Sequence, residues 1–466
     1  MSPQAQIVIL LWLPIVTFIF LQFSPKKAVI ISFLVAWLFL PQRAGFVFTG
    51  IPDYTRISAT CYSILLLAFV FDGKRIQAFK FSWLDLPMLI LCICPFFSSI
   101  VNGLGAYDGL SSTLAQTVKF GLPYFLGRIY LNSLSGLNQL AKSIFISGLI
   151  YMPLCLYEIR MSPQLHRIVY GYFAHSFAQT IRYGGFRPTV FMIHGLEVGM
   201  WMMAVTVIGI WLWQAKVIKK VWSIPITWLV CALIITFILI KSTGAYLYLI
   251  YGVFILFVAK KFRHSLPLLI LIVTVSLYLC FASTGNFTTQ NAEPVLSAIS
   301  SNISEDRAGS LEFRLENEEL LVQKALERPI FGWGGWGRSR VYDYNWEGVL
   351  VDISVTDSLW IITYGRTGIV GLISLYAAFF IPVSIFALKR YPAKFWFHPQ
   401  VAPTASLVVV ITLYMLDNTL NAQFNPIFTL ICGGITGLVI QVPKKHKKLD
   451  SQAKKLHSSL PTKLSQ

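Results

Sequence analysis

Charge is what this chain has least of. Only 12% of its 466 residues are Asp, Glu, Lys or Arg, whereas 56% are hydrophobic. A soluble domain cannot hide that much apolar surface, so the ratio points to lipid as the solvent. Acids are scarcer than bases, 20 against 38, which leaves a net charge of +18. A disulfide framework is also missing. The seven cysteines (61, 92, 94, 155, 231, 280 and 432) all lie in apolar runs and read as small core residues. The seven histidines are scattered, so no metal-ligand spacing emerges and neither metal nor cofactor is expected. The N-terminus lacks the basic residues and small-residue cleavage site of a signal peptide, so the first helix is expected to stay.

What is present is a succession of apolar runs long enough to cross a hydrocarbon core of about 30 Å. They fall near 6–23, 28–42, 57–71, 84–101, 112–126, 138–157, 190–213, 222–240, 244–259, 266–282, 358–388, 402–417 and 425–442, with 112–126 and 402–417 the weakest. The fold class is therefore an all-α polytopic membrane protein of about 12–13 transmembrane helices. Four regions are expected: an N-terminal bundle of about ten spans (1–282), an extracytoplasmic loop (283–357), C-terminal helices (358–442) and a basic cytoplasmic tail (443–466).

The positive charge is distributed as topology, and this excludes nucleic acid as the partner. Lys26/Lys27, Lys74/Arg75/Lys80, Lys216/Lys219/Lys220, Lys260/Lys261/Arg263 and Lys389/Arg390/Lys394 fall in alternate short loops, and Lys444–Lys448 continue the same side. Loops of that kind are cytoplasmic. Counting back puts the N-terminus outside. The tail reads as an orientation signal and a contact with anionic membrane lipids.

Two loops on the other side are long. The first, about 158–189, carries Arg160, Arg167, Arg182 and Arg187; the second, about 283–357, holds 12 of the 20 acids. Two readings stay open for these outer arginines. They salt-bridge the loops together, or their planar forks bind an anionic ligand.

Within the second loop, "SLEFRLENEELLVQKALERP" has the pattern of a five-turn helix over about 310–328, with Ser310 as cap and Pro329 after its end. Leu311, Leu315, Val322 and Leu326 make one apolar stripe, with Leu321 and Ala325 beside it. Next comes "FGWGGWGRSR", whose backbone has no place in lipid. Asp352 and Asp357 then precede a span that carries Arg366 about two turns in. A charge inside a span marks a functional site by default, and Lys241 at the end of another span is in the same class.

The succession "FRLENEELLVQKALERPIFGWGGWG … TDSLWIITYGRTGIVGL" resembles the conserved part of the O-antigen ligase and polymerase family. Arg314, Pro329, Gly332, Gly334, Asp357, Gly368 and Gly371 fall in that family's order. Upstream, "GFRPTVFMIHGLEVG" and "LIKSTGAYL" resemble its Arg-Pro…His and Ser-Arg-Gly stretches. The resemblance implies a metal-independent glycosyltransferase of surface-polysaccharide biosynthesis in the bacterial inner membrane, working at its outer face. Its donor would be an undecaprenyl-diphosphate-linked glycan, and its acceptor another glycan or a lipid. Glycines would let the backbone approach the substrate, and Trp333 and Trp336 would stack on sugar or serve an interfacial belt.

Such a site needs cations for the diphosphate leaving group and a base for the acceptor hydroxyl. Arg314 and Arg187 are the first candidates for the cations, followed by Lys241, Arg366 and Arg338. Asp357 is the candidate base, standing where the ligases commonly carry His, with Ser358 where they carry Asn. Lys241 likewise stands at a family Arg. Asp357 is alternatively a helix cap or the partner of Arg366, and His194 is a core histidine or a substrate contact. Arg187, Arg314 and Asp357 are expected to converge on one cavity, roofed by the 310–328 helix. Two rival classes are kept: a secondary transporter of an anion or lipid-linked sugar, and a non-catalytic partner in polysaccharide export.

Overall fold

The computed structural model describes residues 2–48, 53–182, 184–302 and 305–441, excepting the side chains at 306 and 307. The expected basic tail lies outside the described residues. Among those described, eight helices are long and apolar enough to cross a membrane, from Pro3–Gln22 to Leu359–Arg390. Ile226–Leu239, Ala402–Asp417 and Pro426–Ile440 are shorter apolar helices. The run at 28–42 is the helix Pro25–Phe39, and the run at 112–126 is broken into Gly105–Gln116, a π-turn Thr117–Gly121 and Leu122–Tyr130. Strand among the described residues is confined to four two-stranded hairpins. The chain is an all-α polytopic membrane protein.

Contacts between loops sort them to two ends of the bundle. At one end Lys260 donates to Gln214, Trp211 to the carbonyl of Trp396 and Arg390 to that of Val439. Asp85 and Arg128 form a buried pair there at 2.7 Å. At the other end Gln42 meets His166, Lys241 meets Arg182, and the Leu359 amide donates to the Asn418 carbonyl. The basic loops named above belong to the first end, and the two long loops belong to the second.

Two expectations about local structure need correction. The run at 190–213 becomes helical only at Gly195. Residues before it form a turn, with Val190 at φ +51° and the Met192 amide donating to the Thr189 carbonyl, and the buried Glu158 carboxylate holds it by accepting from the amides of Leu165, Thr189 and Val190 at 2.7–2.9 Å. The amphipathic helix spans Glu305–Leu326, so Ser310 lies inside it rather than capping it. Its stripe packs as expected at Leu315, Leu321, Val322 and Ala325, all buried.

The glycine-rich turn does something its composition did not disclose. The long helix Leu359–Ile385 breaks at Gly368, where φ is +65° and ψ −167°. A break frees the amides of Ile369 and Val370 and the carbonyls of Gly365 and Arg366, which must find partners where water is scarce. Residues 329–334 supply all four. Ile369 N–H donates to Pro329 O at 2.8 Å and Val370 N–H to Ile330 O at 3.4 Å; Trp333 and Gly334 N–H donate to Gly365 and Arg366 O at 2.8 and 3.0 Å. The turn is spliced into the helix. The expectation that these glycines give the backbone close approach to substrate is replaced by close approach to another backbone. A Cβ on Gly368 would sit 2.2 Å from the Ile330 carbonyl oxygen, and one on Gly332 2.6 Å from the backbone of Arg366.

Gly368→Ala should therefore lose roughly 1–2 kcal/mol to the left-handed backbone alone, and more to the clash. Gly335→Ala, where a Cβ meets open space, should be near neutral. Thermal unfolding of the two purified variants in detergent checks this, and equal melting temperatures would refute the splice as a stabilising contact.

Candidate functional site

The splice fixes the C-terminal end of the Glu305–Leu326 helix, and a buried acid fixes its middle. Glu318 accepts from Ser358 Oγ at 2.6 Å, Tyr278 OH at 2.8 Å and Trp360 Nε1 at 3.1 Å. Asn317 alongside accepts the Val355 amide at 2.9 Å. Burial pushes the Glu318 carboxyl up, while its three donors and the charge of Arg314 pull the other way. Arg314 is one turn before Glu318, on the same helix face, and is thereby carried to the head of the next span.

There Arg314 Nε lies 3.6 Å from Asp357 Oδ2, with the two side chains 27% and 40% exposed. The pair is reachable by a ligand, and 3.6 Å is too long to count as a hydrogen bond. Asp357 is not the helix cap: that position is Ser358, whose hydroxyl goes to Glu318. Nor does Asp357 pair with Arg366. The charge of Arg314 also reaches His194, Tyr248 and Asp417. Asp417, buried at the end of the Ala402–Asp417 helix and bonded by Asn421 at 2.8 Å, was not singled out from sequence. The available signal was an acid ending an otherwise apolar run.

Arg187 enters from the first long loop. It is buried, packs on Gly195 and donates from Nη2 to the Lys241 carbonyl at 3.4 Å. Lys241 sits just past the Ile226–Leu239 helix at φ +59° and donates from Nζ to the Arg182 carbonyl at 3.3 Å. His194 caps the Gly195–Gln214 helix by accepting the Leu196 amide at Nδ1, with Gln179 Oε1 3.1 Å from Nε2. Burial lowers its pKa to about 4, helped by the charges of Arg187, His175, Arg182 and Arg314. His194 thus caps the helix, with the charges of Arg187, Arg182 and Arg314 reaching its neutral ring.

Other expected residues lie apart. Trp333 is half-buried, donates to the Lys324 carbonyl at 2.8 Å and carries Lys324, Arg328 and Arg338 over its ring at 4.0–5.8 Å. Arg338 also donates to the Asn102 carbonyl at 3.1 Å. Trp336 is 80% exposed. Arg366 lines two cavities, of about 130 and 340 Å³, that none of Arg187, His194, Lys241, Arg314 or Asp357 lines. The structure therefore brings Arg314 to Asp357, and the charges of Arg187, Arg182 and Arg314 reach His194, while Arg366 lines cavities that these residues do not.

Fold and site together define a multi-pass membrane protein with a cationic cluster and one carboxylate at the end of its bundle. A family model described as O-antigen ligase matches residues 228–376, the stretch holding Lys241, Arg314, the splice and Asp357. That stretch, about a third of the chain, is similar to the O-antigen ligase family. No curated protein matches it.

The lowered His194 sets a pH dependence. The folded state keeps this imidazole neutral down to about pH 4, whereas the unfolded chain takes up a proton near 6.5. Its stabilising contribution is therefore present above pH 6.5 and lost as pH falls toward 4, on the order of 2 kcal/mol by pH 5. His194→Asn keeps a good cap and removes the titration. The melting temperature of the wild type should fall more steeply between pH 7 and 5 than that of the variant; parallel curves would contradict the assignment.

Proposed function

We propose that this protein transfers or polymerises a glycan carried on a polyprenyl diphosphate, with Arg314 and Asp357 at the reacting centre. The observation that carries the reading is the accessible Arg314–Asp357 pair at 3.6 Å, with the charges of Arg314 and Arg187 both reaching His194. The acceptor hydroxyl attacks the anomeric carbon while its proton passes to the Asp357 carboxylate. The bond from that carbon to the diphosphate oxygen breaks, and the leaving group departs with the electron pair. Arg314, assisted by Arg187, meets the charge that develops, and fixed cations in a partly dry site are the largest single source of such stabilisation. The arginine fork suits paired phosphate oxygens, and Arg314 makes no hydrogen bond to another described residue that would occupy it. Lys241 contributes positive charge behind Arg187.

Under this reading the end holding the long loops faces outward from the inner membrane, and the basic loops face the cytoplasm. The acceptor is a second glycan in a polymerase, or a lipid in a ligase. Electrophoresis of surface polysaccharide from a strain lacking the gene separates them: loss of the chain-length ladder indicates polymerisation, and loss of attachment with an intact ladder indicates ligation. An unchanged pattern would contradict the proposal.

Two variants test the chemistry in a transfer assay with a lipid-diphosphate donor. Asp357→Asn should lower transfer by about 10²–10⁴-fold at normal folded yield, and Asp357→His should recover part of the rate because imidazole titrates near neutral pH. Normal transfer by the Asn variant would remove Asp357 from the mechanism. Arg314→Lys should stay defective despite its charge, since lysine gives only a point contact; full activity would assign Arg314 to packing.

A further inference from the structure

Arg366 has an unexpected companion. The smaller of its two cavities, about 130 Å³, is lined by Lys119 as well, with Ser112, Gln116, Thr363 and the backbone of Gly334 and Gly335. It holds room for a group of several heavy atoms. Two cations line it and no carboxylate does. Among the described residues neither Lys119 nor Arg366 belongs to an ion pair. Lys119 lies over the rings of Phe120 at 5.3 Å and Phe424 at 5.0 Å. The two charges are close enough to repel each other.

Two like charges beside one cavity, with Arg366 inside the Leu359–Arg390 span, are costly, and an anion placed between them would relieve both the repulsion and the lost hydration. The remaining lining suits an oxyanion. The Ser112 hydroxyl and Gln116 amide make no hydrogen bond to another described residue. Pro95, Phe120, Leu359 and Ile362 add apolar surface beside the cations, the environment of a headgroup joined to a tail rather than of a free ion. The splice helps to build this site too: by drawing residues 332–334 into the break at Gly368, it brings Gly334 and Gly335 over Arg366. Lys119 lies on the π-turn Thr117–Gly121, a local widening of the helix that is frequent at functional sites.

We propose that Lys119 and Arg366 form a second anion site that holds the phosphate or diphosphate headgroup of a membrane lipid, distinct from the lipid engaged at Arg314 and Asp357. The site goes beyond the transfer reading, since it requires neither a glycan nor a base. The chemistry fits two sources, a bilayer phospholipid and a second polyprenyl diphosphate.

The full chain in phosphatidylcholine nanodiscs, titrated separately with phosphatidylglycerol and with polyprenyl diphosphate and read by native mass spectrometry, tests it. The wild type should retain one more molecule of the titrated anionic lipid than K119Q/R366Q, or bind it at least tenfold more tightly. Charge-keeping K119R/R366K should retain the lipid, and so should Arg314→Lys, which touches only the other site. Which titrant is lost identifies the source. Equal binding by the wild type and K119Q/R366Q overturns the proposal; where the double variant does not fold, R366Q alone decides by the same criterion. Because no transfer is measured, failure of Asp357 as base leaves this result untouched.

Discussion

The break at Gly368 is the constraint on which the rest of this structure depends. Four backbone groups are released in the middle of a membrane helix, and a residue sequence that cannot itself lie in lipid supplies the four partners. Each side makes the other possible. Without Pro329–Gly334 the break would be unsatisfied, and without the break the loop would have no place to dock. Glycine is required on both sides because the two backbones approach more closely than any Cβ allows.

The same splice sets the functional geometry. It ends the Glu305–Leu326 helix against the bundle, and Glu318 then locks the helix by accepting from Ser358, Tyr278 and Trp360. Arg314 is one turn away from that lock, so its position beside Asp357 follows from a buried acid that touches no ligand. Buried polar groups with every donor and acceptor matched specify one arrangement more strongly than apolar packing does. Glu158 plays the matching part by holding the turn after Arg187. Two buried glutamates thus organise two arginines, and the charges of both reach the uncharged ring of His194.

Much of this was legible in the sequence. Most of the apolar runs became helices, because length and hydropathy are local properties that lipid reads directly. Alternation of basic loops sorted the ends, and the apolar stripe from Leu315 to Ala325 announced the docking helix. The order of Arg314, Pro329, Gly332, Asp357 and Gly368 pointed to the right elements. What stayed hidden was tertiary. Glu318 looks like one more acid in an acidic loop until Ser358 and Trp360 are placed opposite it. The glycines read as substrate-facing because nothing in their spacing shows that their partner lies more than thirty residues downstream. Lys119 and Arg366 are far apart in sequence, and their cavity exists only once the helices pack.

The most direct test of the account is an experimental structure of the full chain with a polyprenyl diphosphate bound. The account predicts diphosphate oxygens within hydrogen-bonding distance, about 3 Å, of the Arg314 guanidinium, with Arg187 on the same side and Asp357 facing the anomeric position. A diphosphate bound elsewhere, with Arg314 turned to solvent and away from Asp357, would contradict it.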